Sequence, residues 1–143
     1  MSRIRVLIAA ALMTVAVSVS TPPAEAGPRK QMVRAINYVR SWSHRRPLEF
    51  SSRLSRGAAG WARHLMQRNV LAHSGRARSR GEGEVIEWHT GAAANVDRTV
   101  MEWWHSTGHR RVVLGRFRQA GAARAVGYFG GRRCTIWVVR FAR

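Results

Sequence analysis

Apolar positions along the chain fall into helical stripes first and strand-like runs last. Met32, Val33, Ile36 and Val39 share one helical face, and the spacing predicts a helix that stops near Ser43, ahead of Pro47. The clearest stripe is Leu54, Ala58, Trp61, Ala62, Leu65 and Met66 in "SSRLSRGAAGWARHLMQRN". Ser51 or Ser52 can cap that helix, and Gly57 and Gly60 either weaken it or allow close packing. Residues 74–83, rich in Gly, Ser and Arg, read as an exposed loop. "EVIEW" then reads as a short strand and "GAAAN" as a second loop. Asn95 is placed to cap a third helix bearing Val96, Val100, Trp103 and Trp104. Gly108 should end or kink that helix, and "HRRVVL" makes one more turn.

The period then changes. "AARAVGYF" and "RCTIWVVRF" are β-prone runs joined by Gly130-Gly131, a hairpin signal because both glycines tolerate positive φ. The second run is apolar on both faces, which predicts an interior place in the sheet. Helices first and a hairpin last predict an α+β sandwich with a small antiparallel sheet. No internal repeat and no low-complexity tract is evident.

The N-terminus does not belong to this pattern. Arg3 and Arg5 precede an apolar run from Val6 to Val19, followed by Ala24-Glu25-Ala26. That is the order of a secretory signal peptide, cleaved after Ala26. The run is shorter than the about 20 residues a spanning helix needs, so cleavage should leave no transmembrane segment. The expected organisation is a signal peptide over residues 1–26 and one domain over residues 27–143.

Composition adds charge. The 143 residues hold 25 Lys plus Arg against 7 Asp plus Glu, a net charge of +18. Losing Arg3, Arg5 and Glu25 with the signal peptide would leave +17, almost all of it arginine, since Lys30 is the only lysine. Such a chain is drawn to polyanions: anionic lipid, acidic wall polymers or nucleic acid. Export favours the first two, and no nucleic-acid-binding motif is present. The arginines are spread over every segment, the usual pattern of a solvated surface. Cys134 is the only cysteine, so no internal disulfide can form; an unpaired thiol in a strand is most often a small buried apolar residue.

Three residues are candidates for chemistry. His73 follows the long helix, Glu84 lies beside apolar Val85 and Ile86, and His109 follows Gly108 where a helix should break. Each alone has an ordinary structural explanation. His105 and His109 are four apart, but Ser106 stands where a zinc protease needs its glutamate, and Gly108 interrupts the helix. A phosphate loop and a G-x-S-x-G elbow are both absent.

In order along the chain, the pieces resemble a known family. "INYVR" resembles an N-x-x-R pattern on a first helix, and "PLEFSSRLSRGAAGWARHLMQ" a P-L followed by L-x-x-x-A-x-x-x-A on a second. "LAHSG" is similar to a histidine after that helix, "GEVIEW" to a G-E-N-I strand, and "WWHSTGHRRVVL" to W-x-x-S-P-G-H-R-x-x-L. "GAARAVGYFGGRRCTIWVVRFA" is similar to a closing hairpin. This order resembles the CAP superfamily, or SCP domain, in its short bacterial form, over about residues 30–143. The resemblance implies an α-β-α sandwich with a cleft lined by His73, Glu84 and His109. It implies that His73 and His109 could hold a zinc ion, with Glu84 orienting a histidine, binding the metal or taking a proton. Val85 stands where the family usually has asparagine, which removes a polar group from the expected cleft. Glu102 does not align well with a second glutamate found in many members.

Three functions follow as expectations. The first is a secreted or envelope-associated binding domain, its cleft taking an envelope, lipid-like or small apolar ligand and its cationic surface meeting anionic polymers or lipids. The second is a zinc-assisted hydrolase or protease using the same three residues. The third is a cationic membrane- or polyanion-binding protein acting by charge alone. Two histidines fall short of the three protein ligands usual for catalytic zinc, which favours binding over catalysis.

Overall fold

The structure, a computed structural model, describes residues 23–143. The expected signal peptide lies outside the described residues except for the backbone of its last four. The elements are α1 (Pro23–Ser41), β1 (Glu49–Phe50), α2 (Ser52–Arg68), α3 (Gly75–Ser79), β2 (Gly83–Thr90), α4 (Val96–His105), α5 (Thr107–Val113), β3 (Gln119–Phe129) and β4 (Arg132–Ala142).

One sheet in the order β1-β3-β4-β2 separates two helical layers. One sheet face carries Val85, Ala122, Trp137 and Val139 and packs on Met32 and Ile36 of α1, Val100 and Trp103 of α4, and Val113 of α5. The other carries Ala123, Ala125, Ile136 and Val138 against Ala58, Ala62 and Leu65 of α2. Alternate residues of β3 and β4 therefore serve two cores, which is why the last strand is apolar on both faces. This is the α-β-α sandwich that the resemblance implied, with β4 interior as predicted. The hairpin turns at Gly130 and Gly131, with φ of 58° and 75°. Small residues let α2 lie close to the sheet. A Cβ at Gly121 would sit 2.2 Å from the Ser55 backbone nitrogen and 2.6 Å from the Leu54 carbonyl carbon.

Several local expectations change. The sheet is mixed, because β1 pairs with β3 in parallel at Glu49↔Gln119 and Phe50↔Ala120. Residues 74–83 are not all loop: the Ser74 hydroxyl accepts from the Ala77 N–H and caps α3, and Ser74 and Ala77 are buried. Asn95 occupies the cap position of α4 but makes no side-chain cap bond; its carbonyl accepts from the Thr99 hydroxyl instead. The break between α4 and α5 falls at extended Ser106, and Gly108 lies inside α5. Pro28, which by sequence suits the first turn of a helix, lies within α1, because that helix begins at Pro23.

The N-x-x-R pair on α1 has a structural explanation. Asn37 Nδ2 donates to the Leu48 carbonyl at 2.9 Å, and its Oδ1 accepts from the Leu48 N–H at 2.7 Å. One amide side chain thus serves both backbone groups of the residue leading into β1.

Candidate functional site

The site grows from the free edge of β2. After α2, Asn69 adopts a left-handed conformation and turns the chain away. The following segment, Val70 to Ser74, passes beside the strand and brings His73 to Glu84. His73 Nδ1 lies 3.1 Å from Glu84 Oε1, and the Ser74 N–H donates to the same oxygen at 2.8 Å. The other oxygen, Oε2, accepts from Arg140 Nε at 3.2 Å. The Glu84 and Arg140 side chains are only 4% and 6% exposed, whereas that of His73 is 51% exposed. Room for Arg140 comes from Gly57, where a Cβ would sit 2.7 Å from the guanidinium.

These contacts set the roles. A carboxylate offers only acceptors, so the His73–Glu84 bond places a proton on Nδ1 and turns the other ring nitrogen outward. Glu84 is the fixed base of that arrangement, with both oxygens engaged by donors.

His109 arrives from the opposite side, on α5. A cavity of 280 Å³ runs along β2 between the two histidines, lined by Leu71, Ala72, His73, Ile86, Glu87, Trp88 and His109. The fold therefore brings His73 and His109, 36 positions apart in sequence, to one cavity. Glu84 sits beneath His73 and does not line the cavity. His105 is exposed at the end of α4 and is not part of the lining. Glu102 turns elsewhere, to Arg98 at 2.9 Å and His89 at 3.7 Å. Val85 is fully buried in the core against α1, α4 and α5, so its replacement of asparagine does not alter the cavity wall.

Glu87, Trp88 and Arg140 were missed as site residues. Glu87 and Trp88 close the quoted strand motif "GEVIEW", and their partial exposure follows from β2 being the edge strand. Arg140 could have been suspected as the one charge in the apolar run "TIWVVRF". A second concavity, 310 Å³ and apolar, lies between α1 and α4 beside Tyr38, Trp42 and Met101, with none of the predicted residues in its lining.

Among the described residues no group of three His, Cys, Asp or Glu side chains is placed to hold a metal ion. The carboxylate nearest His73 already serves Ser74 and Arg140.

The comparisons with known proteins agree with the fold. Residues 33–141 match the model of the CAP family, the cysteine-rich secretory protein family. The chain belongs to this family. Among solved structures, this CAP domain is similar to an extracellular SCP-domain protein of Bacillus anthracis, with TM-score 0.63 and 21% identity over 88% of this chain. It spans 45% of that protein's length. It is also similar to an outer surface protein of Borrelia burgdorferi, with TM-score 0.60 and 18% identity, covering 80% of this chain and 91% of that one. NaASP2, solved with Zn²⁺, gives TM-score 0.69 at 12% identity, covering 85% and 82%. At these identities the likeness shows the fold alone. No curated protein sequence matches. No helix among the described residues is long and apolar enough to cross a membrane.

Proposed function

We propose that this CAP domain is an exported binding protein, held at the cell envelope by its cationic surface, that takes a small group of an envelope or lipid-like ligand between His73 and His109. One observation carries the preference for binding over hydrolysis: the buried Glu84 carboxylate is committed to His73, Ser74 and Arg140 and is not free to act as a base on water. What remains at the cavity is recognition chemistry. The imidazoles of His73 and His109 and the Glu87 carboxylate supply polar anchors, and Leu71, Ile86 and Trp88 supply apolar walls. At 280 Å³ the cavity lies just below the about 300–1,000 Å³ of sites for drug-sized ligands. It suits a headgroup or chain end. The signal-like N-terminus supports export, as does similarity to proteins described as extracellular or outer-surface.

Zinc-assisted hydrolysis is the second reading. What favours it is the carboxylate-fixed tautomer of His73, whose outer ring nitrogen could ligate a metal. Calorimetric titration of the protein with zinc, beside a His73→Ala/His109→Ala variant, separates the two readings. The binding reading expects no zinc-dependent heat that distinguishes the proteins, and envelope fractions that retain the protein in a salt-sensitive way. Micromolar zinc binding lost in the variant would overturn it in favour of the metal site.

A further inference from the structure

The second residue of the N-x-x-R pair leads to a surface that the cleft does not use. Arg40 is 2% exposed, and no carboxylate among the described residues pairs with it. Its guanidinium is held by carbonyls instead. Nε and Nη2 donate to the Arg46 carbonyl at 3.1 and 2.9 Å, and Nη1 donates to those of Val113 and Gly115 at 2.5 and 3.1 Å. One buried cation thereby ties the turn after α1 to the loop after α5. Burial, and after it the charge of Arg45, hold its pKa below the ordinary arginine value.

Those two loops carry a concentration of exposed arginines. Arg45, Arg46, Arg116 and Arg118 line a cavity of 260 Å³ together with His44, and buried Arg40 forms part of its floor. Arg116 and Arg118 also line a neighbouring cavity of 830 Å³, with Arg143 opposite and Glu49 the one carboxylate in its wall. The shared pair makes the two cavities one basin. Five exposed guanidinium groups, of Arg45, Arg46, Arg116, Arg118 and Arg143, stand around it with buried Arg40 beneath and Glu49 the single facing acidic side chain, and they repel one another less when an anion enters. A guanidinium matches phosphate by its planar fork, through paired N–H donors. Two joined hollows suit several phosphates in series better than one.

We propose that this basin binds a flexible chain of phosphate groups, such as a phosphodiester polymer of the envelope. The shape argues for a chain: a thread can follow a hollow that a flat bilayer surface cannot enter. The proposal deepens the polyanion half of the reading above, and it does not depend on the histidine cleft.

The test is binding of the purified protein to long-chain inorganic polyphosphate, followed by calorimetry at about 150 mM salt, where charges beyond about 8 Å are screened. The Arg116→Gln/Arg118→Gln variant should lose about tenfold or more in affinity, and Arg45→Gln/Arg46→Gln likewise, through lost charge-assisted bonds. Arg132→Gln/Arg133→Gln removes the same charge at the far end of the β3–β4 hairpin, about 35 Å away at about 3.3 Å per strand residue. That variant should change affinity by less than about twofold, as separated surface charges do. His73→Ala/His109→Ala should bind polyphosphate as the parent does, so failure of the cleft and failure of the basin are distinguishable. All these arginines have exposed side chains, and near-ultraviolet circular dichroism confirms that each variant is folded. Equal losses in the basin and hairpin variants would mean that binding follows total charge, and would overturn the proposal. So would basin-dependent binding to phosphatidylglycerol vesicles or duplex DNA with none to polyphosphate.

Discussion

Glu84 and Arg140 face each other directly across the β2–β4 pair, their side chains joined at 3.2 Å and almost sealed from water. The glutamate that family resemblance marks as a cleft residue is therefore first a partner in a buried ion pair. It positions His73 from behind, and the cavity itself is lined by later residues of β2, by the segment after α2 and by His109 of α5.

This pairing makes a stability prediction. Glu84→Ala leaves the Arg140 charge buried without a counter-ion and should cost about 3–5 kcal/mol. The double variant Glu84→Leu/Arg140→Met removes both charges and should recover most of that loss. His73→Ala, at a half-exposed ring, should cost less than about 1 kcal/mol. Urea unfolding of the four proteins checks the order. If Glu84→Ala unfolded like His73→Ala, the ion pair would not be part of the scaffold.

The close approach of α2 to β3 makes another. Gly121→Ala places a methyl group against the backbone of Leu54 and Ser55, which cannot move aside as a side-chain tip could. Overpacking of this kind should cost about 3 kcal/mol or more. Gly60→Ala, where a Cβ meets nothing within 4 Å, should stabilise α2 by up to about 1 kcal/mol. Thermal melts of both variants should move in opposite directions; a shared direction would count against this packing.

Much of the architecture was legible because each signal was local. The stripe from Leu54 to Met66 marks the face of α2 that meets the sheet, and Gly130-Gly131 marks the hairpin. What escaped depends on partners distant in sequence. The parallel pairing of β1 rests on a two-residue strand, too short to show alternation. Residues 75–79 form a helix although their composition reads as loop, because Ser74 caps it and Ala77 finds a buried place. At the candidate site, the sequence singles out His73, Glu84 and His109, but only the fold shows that the two histidines share a cavity, that Glu84 turns to Arg140, and that Glu87 and Trp88 line the cavity. The arginine basin was hidden for the same reason. Arg40, Arg46, Arg118 and Arg143 look evenly dispersed in sequence and become neighbours only when α1, the loop after α5 and the end of β4 meet.

Cys134 gives a direct check on the interior of the sheet. It is fully buried in β4, opposite Thr90 of β2 and Gly127 of β3, with its sulfur 3.9 Å from the Phe129 carbonyl. A thiol in that position behaves as a small apolar side chain and cannot reach a second chain. The native protein should run as a monomer on non-reducing gels and react with a thiol reagent only after denaturant is added. Rapid labelling of the folded protein would show that the β2–β4 edge opens.

The N-terminus supplies the last prediction. α1 as described begins at Pro23, which places Pro28 inside the helix, where its ring removes a backbone bond to residue 24. Cleavage after Ala26 would put the same proline in the first turn, where no hydrogen bond is lost and its fixed φ suits helix entry. The residues that anchor α1 to the core, Met32, Val33, Ile36 and Val39, all lie beyond that point, so processing should leave the sandwich intact. The intact mass of protein recovered from the culture medium should correspond to a chain beginning at Gly27. A membrane-bound form retaining residues 1–26 would replace the secreted reading with that of an anchored domain, its cleft and arginine basin held at the bilayer surface.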